Sequence, residues 1–124
     1  VDSDGYYIGG AIAPGLRISM DALVARAARI ASIPLETPPH AIGRTTEEAV
    51  QSGAVLGTAA MVEGLVGRIR AELGAPEARV IATGGLANIV ADSTNVFDVV
   101  DGQLTLKGIC EIARRMRDRV PRTA

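Results

Sequence analysis

The stretch Ile42–Gly74, IGRTTEEAVQSGAVLGTAAMVEGLVGRIRAELG, decides how the rest of the chain can be arranged. Thr45 and Glu48 have the spacing of a capping box, in which the threonine oxygen accepts from a first-turn N–H and the glutamate reaches back to the cap. Glu47 and Glu48 suit the positive end of a helix dipole, and Arg68 and Arg70 its negative end. Gly74 supplies a left-handed stop and Pro76 blocks resumption. One long helix is therefore predicted over approximately 46–73. At about 1.5 Å per residue it would be roughly 42 Å long.

Its interior carries a seam. Gly53, Gly57, Ala60, Gly64 and Gly67 recur at alternating four- and three-residue steps and so share one stripe. Each internal glycine costs about 1 kcal/mol against alanine, and close approach of a neighbouring backbone would offset that. Val55, Val62, Leu65, Val66 and Ile69 put bulkier apolar surface on adjoining faces. The pattern predicts one face against a sheet and another against a second helix, from this chain or another copy. A buried core helix of a monomer fits the spacing equally well.

Size and composition narrow the classes. At 124 residues the chain is one domain at most. Apolar residues make up 48%, enough for a core, but Tyr6, Tyr7 and Phe97 are the whole aromatic content, so that core must be aliphatic. A formal net charge of −1 gives no sign of nucleic-acid binding. The single cysteine, Cys110, rules out an internal disulfide and suits the cytosol, so a cytoplasmic location is expected. Neither a membrane-spanning apolar run nor a signal peptide is expected from the sequence. Val1–Gly5 lacks a methionine and reads as a strand end entering an Asp4-Gly5 turn. The expectation is a piece of something longer.

In chain order, Tyr6–Ala13 reads as a strand weakened by Gly9 and Gly10, and Pro14-Gly15 turns the chain. Leu16–Ile30 is an amphipathic helix with Leu16, Met20, Leu23, Val24, Ala27 and Ile30 on one face. Ile33–His40, with three prolines, is an extended loop; His40 has no ligand-spaced neighbour and is read as a loop residue. Arg79–Thr83 is a short apolar strand of the kind buried on both faces. Gly84-Gly85 breaks it, and Leu86–Ala91 starts a short helix. Strand, Gly-Gly, helix can present backbone amides to a phosphate or nucleotide, and it also occurs simply as a tight turn. Asn95–Val100 is another strand. Leu104–Val120 is a closing helix, apolar at Leu106, Ile109, Cys110, Ile112, Ala113 and Met116. Arg114, Arg115, Arg117 and Arg119 form a solvated basic face near its end. The order is that of an α/β fold with parallel strands joined by crossovers.

Catalytic chemistry is sparse. There is no P-loop and no kinase signature set. Asp2, Asp4, Asp21, Glu63, Asp92, Asp98 and Asp101 are the possible bases, and none stands beside a second functional group, so none is assigned catalysis.

Five ordered blocks nevertheless carry a resemblance: GGAIAPGL at Gly9–Leu16, IGRTT at Ile42–Thr46, QSG at Gln51–Gly53, ATGGLA at Ala82–Ala87 and LTLKGI at Leu104–Ile109. Together they resemble the C-terminal half of type III pantothenate kinases, relatives of the Bvg accessory factors. The resemblance implies an RNase H-like half-domain of the acetate and sugar kinase/Hsp70/actin superfamily, three-layered with a mixed or parallel sheet and truncated at its N-terminus. Residues 1–124 would then be the partial C-terminal domain of a two-domain kinase. It further implies ATP-dependent phosphorylation of pantothenate, the first step toward coenzyme A, with Mg²⁺ and a monovalent cation (K⁺ or NH4⁺), in a homodimer. Thr46 matches the threonine that contacts pantothenate, and Thr83, Gly84 and Gly85 match the adenosine-side loop. Gly9 and Gly10 fall in a Gly-rich strand. Where the family more often has Lys then Asn, this chain has Arg44 and Thr45, which keep the charge and the N-cap. The phosphate loop, the catalytic Asp and the cation-binding Asp of the family would precede Val1. The chain alone is therefore expected to be inactive, its alternative role being a non-catalytic dimerisation or regulatory module.

Overall fold

The computed structural model describes residues 1–26 and 33–119. In order, the elements are α1 (Leu16–Arg26), α2 (Thr46–Gln51), a π-helical segment (Ser52–Leu56), α3 (Gly57–Leu73), β1 (Ile81–Ala82), α4 (Ala87–Ala91), β2 (Val99–Val100) and α5 (Leu104–Arg119). α2, the π segment and α3 run without a break as the predicted 28-residue helix, Thr46–Leu73. By length and mean hydropathy, 1.3 over its most apolar window, this helix could cross a bilayer, which corrects the expectation that no segment could. Its π segment nevertheless sits in the protein core, with Val55 completely buried.

That core is small and aliphatic. Leu16 of α1, Val55, Ala59 of α3 and Val90 of α4 form its centre, with Leu35, Ala54, Leu86, Ile89 and Phe97 packed around them. α1 covers the core through Leu16 and Met20, while Leu23, expected on the same face, is 46% exposed. Ala27 and Ile30, the other expected members of that face, lie outside the described residues.

The far end of the long helix closes as its sequence requires. Gly74 adopts φ 60°, ψ 26°, the left-handed conformation that costs a residue without Cβ least. Its N–H donates to Ala71 O, and the Ala75 N–H donates to Arg70 O at 3.0 Å, satisfying last-turn carbonyls. The Arg70 guanidinium then donates through Nε (3.0 Å) and Nη2 (2.7 Å) to Ala78 O. Asp98 sits 3.8 Å from that guanidinium and accepts from the Val80 N–H at 2.6 Å. These bonds bring the start of β1 to the helix end and to the approach of β2.

β1 and β2 pair in parallel with Ile81 opposite Val99 and Ala82 opposite Val100, and α4 makes the crossover. This is the α/β arrangement with a small parallel sheet. The expected strands 79–83 and 95–100 shrink to two residues each. Ile81 is 49% exposed rather than covered on both faces. A parallel pair gains depth only from further strands and covering layers, and among the described residues there is no third strand.

Two further expectations are corrected for the same reason. Tyr6–Ala13 is not a strand. The Asp2–Tyr6 turn forms, with Asp2 Oδ1 accepting from the N–H groups of Asp4 and Tyr6, but the segment beyond it pairs with no strand among the described residues. Tyr7 is 82% exposed. Likewise α5 does not close the fold: Leu106, Ile109, Cys110, Ile112 and Met116 are all exposed. Its N-terminus is held by Lys107 Nζ on Asp101 Oδ2 at 2.7 Å. Arg114, Arg115 and Arg117 are solvated as expected, and Arg114 and Arg115 also pair with Glu111 and Arg114 with Asp118. The side chain of Arg119 and all of Val120 lie outside the described residues.

Candidate substrate site at the start of the long helix

The site begins with the corner Ala41–Thr46. Thr45 takes extended backbone angles (φ −121°, ψ 164°), and its Oγ1 accepts from the Glu48 N–H at 3.1 Å. Glu48 reaches back as the capping box predicts, but its Oε2 accepts from the Arg44 N–H (2.7 Å), one residue before the cap. Two more bonds hold the preceding loop down. Ser52 Oγ donates to Ala41 O at 2.6 Å, and Gln51, only 6% exposed, donates through Nε2 to Pro34 O at 3.0 Å. Gly43 lies so close to the helix that a Cβ there would come within 2.2 Å of Ala49 N. The corner can lie flat only with glycine at that point.

Thr46 is thereby fixed as the first helical residue with its side chain exposed. It opens on a hollow of about 510 Å³ between α1 and the start of the long helix. Met20, Leu23, Val50 and Ala54 give the hollow apolar walls, and Gly53 leaves one side bare. Ser19 adds a second hydroxyl. Such a hollow, mostly apolar with a few hydroxyls, is of a size to hold a small molecule. A second hollow at the other end of the helix, about 380 Å³ beside Gly67 and Gly74, offers only Arg70 as a polar side chain, and Arg70 is engaged with Ala78.

Thr83, Gly84 and Gly85 form the exposed bend between β1 and α4. Gly84 has φ 105°, open to glycine and strained for other residues, and its carbonyl accepts from the Ala87 N–H. None of the three is among the described residues that line the hollow beside Thr46. The bend and Thr46 are linked through the core, because α4 packs by Val90 against Val55 of the π segment that follows α2. Gly9 and Gly10 stand apart from both, in the exposed segment before α1.

The acidic residues behave as structural groups. Asp101 is held below its ordinary pKa by the hydrogen bond from Lys107, then by the Gln103 N–H. Glu111 is pulled down to about 2 by hydrogen bonds from Arg114 and Arg115. Glu63 accepts from Thr94 Oγ1 at 2.5 Å, tying α3 to the loop before β2. Among the described residues no three His, Cys, Asp or Glu side chains converge on a metal position. His40 is an exposed loop residue.

Several positioning residues escape a reading of the sequence alone: Gly43, Gln51, Ser52 and the π segment. A glycine two residues before an N-cap threonine is the one local signal that a loop must lie on the first turn.

A family model for type III pantothenate kinase matches residues 1–68. The chain belongs to the type III pantothenate kinase family. It is 53% identical over 116 residues to a protein of that name from Thermomicrobium roseum, covering 94% of this chain and 44% of the relative. A type III pantothenate kinase of Zymomonas mobilis is 50% identical over 111 residues, 88% of this chain and 40% of that protein. One from Paramagnetospirillum magneticum is 46% identical over 115 residues, 93% and 44% respectively. The chain thus spans less than half the length of these type III pantothenate kinases. Within the family match lie the Ala41–Thr46 corner and the apolar hollow.

Proposed function

We propose that this chain works as the C-terminal part of a two-domain kinase that phosphorylates pantothenate to 4′-phosphopantothenate with ATP. The observation that carries this is the placement of Thr46, pinned by the capping box at the edge of an apolar hollow in a chain of this family. In this reading Thr46 contacts pantothenate, and the Thr83–Gly85 bend supports the adenosine side of ATP. The base that removes the substrate hydroxyl's proton lies on polypeptide outside this chain. So do most of the ligands of Mg²⁺ and of the K⁺ or NH4⁺ ion. The small sheet is the edge of a larger, RNase H-like one. The enzyme is cytoplasmic and homodimeric, and this chain by itself is inactive.

A non-catalytic dimerisation module is the second reading, and one observation favours it. Gly53, Gly57, Ala60, Gly64 and Gly67 are all exposed, and a Cβ added to any of the four glycines meets no atom within 4 Å. The close helix contact expected at this seam is not made among the described residues, so the stripe is open to another helix.

Assaying ATP-dependent phosphorylation of pantothenate by the longer parent protein and by this chain alone separates the two. Turnover by the parent and none by the chain is expected. Turnover by the chain would overturn its inactivity, and none by either, with a folded parent dimer, would favour the module.

A further inference from the structure

We propose that Gln51 is a positioning residue: its side-chain amide clamps the loop of residues 33–44 onto the long helix and so holds the corner from which Thr46 faces the substrate, an assignment that rests on the pantothenate reading above. The loop has little else to hold it. Pro34, Pro38 and Pro39 have no N–H to donate, and among the described residues 33–44 make no backbone–backbone hydrogen bond. Leu35 and Pro38 turn apolar surface inward, but such contacts are non-directional and do not fix where the loop lies along the helix. That is set by three side chains from one stretch of the helix. Gln51 Nε2 donates to Pro34 O at 3.0 Å, Ser52 Oγ donates to Ala41 O at 2.6 Å, and Glu48 Oε2 accepts from the Arg44 N–H at 2.7 Å.

Of the three ties, the one made by Gln51 is the one water cannot replace. Ser52 and Glu48 make exposed bonds, whereas Gln51 is the one buried polar side chain among the described residues. A buried amide is costly unless it is hydrogen-bonded, and a leucine would suit the helix as well. The helix itself makes no use of the amide, for Gln51 precedes the π segment without a side-chain capping bond. Nor does Gln51 line the hollow, as Val50 beside it does. Its hydrogen bond goes to the loop. Released at Pro34, the loop would lift the corner at which Gly43 lies against the Ala49 backbone and the Thr45 cap sets the start of the helix. Gln51 thus acts on the substrate through the loop and Thr46, without touching it.

Gln51→Met keeps the length of the side chain and removes its donor. Made in the longer kinase, it should raise KM for pantothenate about tenfold, the effect of losing one substrate hydrogen bond, and leave KM for ATP where it was. The Arg44 amide should exchange faster with solvent as the loop loosens. Ser52→Ala should act in the same direction and less, because its bond is open to water. Thr94→Val, which cuts a comparable tie between α3 and a different loop, should leave KM for pantothenate unchanged. A folded Gln51→Met enzyme with unchanged KM for pantothenate overturns the assignment while leaving the kinase reading intact. So does an equal rise in both KM values, or a failure of the variant to fold, since either would make Gln51 a support of the whole fold rather than of the corner. A wild-type parent that does not phosphorylate pantothenate would remove the kinase reading and this assignment with it.

Discussion

The long helix and α5 make opposite use of their apolar residues. The long helix has a faint apolar stripe interrupted by glycines, yet Val55 within it is fully buried and Ala59 nearly so. α5 has the cleaner two-sided pattern, yet Ile109, Ile112 and Met116 are each more than half exposed. An amphipathic pattern thus says which face needs a partner and is silent on whether the same chain supplies it. The long helix owes its burial to neighbours arriving from both directions in sequence, Leu16 from before and Val90 from after. α5 comes last, and nothing follows it within the described residues to fold back.

Four measurements bear on that contrast. Val55→Asp should do the most damage, because a charge would enter the most enclosed position with no partner; the cooperative thermal transition should be lost, at a cost of at least about 3 kcal/mol. A transition that persists near the wild-type temperature would mean the core is not where Val55 sits. Gly43→Ala comes next. Its methyl meets helix backbone rather than a movable side chain, so a loss of about 3 kcal/mol in unfolding free energy, read from denaturant titration, is expected, with the Arg44 amide losing its exchange protection. Ile109→Ser on α5 should change the stability of the isolated chain by no more than about 0.5 kcal/mol. A larger loss would show α5 packed after all and erase the contrast.

Acid provides the smallest effect. Glu111 has a folded-state pKa near 2, below its ordinary value of 4.5, because of its hydrogen bonds from Arg114 and then Arg115. A depressed carboxylate stabilises above its unfolded pKa and loses that contribution as pH falls through the folded one. Helicity followed by circular dichroism should therefore decline slightly between pH 4.5 and 2 in the wild type. That component should be missing in Glu111→Gln. An identical acid profile in the variant would show that the ion pairs on this exposed face contribute nothing measurable.

What was legible in the sequence was local. The capping box at Thr45 and Glu48, the stop at Gly74, the Asp4-Gly5 turn and the short helix after Gly84-Gly85 are each written in four or five neighbouring residues, and each is formed. Thr46 could be placed because a cap fixes where a helix starts. The losses are all long-range. Tyr6–Ala13 has strand composition but no neighbouring strand among the described residues, and a strand is defined by its neighbour. The hollow beside Thr46 depends on α1 crossing the start of the long helix, and no spacing within either segment announces that. The bond from Ser52 to the Ala41 carbonyl spans eleven residues and leaves no trace in periodicity.

The fork by which Arg70 grips the Ala78 carbonyl has a consequence for how this sequence can change over time. Two nitrogens of one planar group reach a single oxygen while the same guanidinium faces Asp98. A lysine could supply one of those bonds from a flexible stem, but not the pair in fixed geometry. The exchange ordinarily counted among the mildest is therefore closed at this one position, while neighbouring Arg68, exposed, is free to drift.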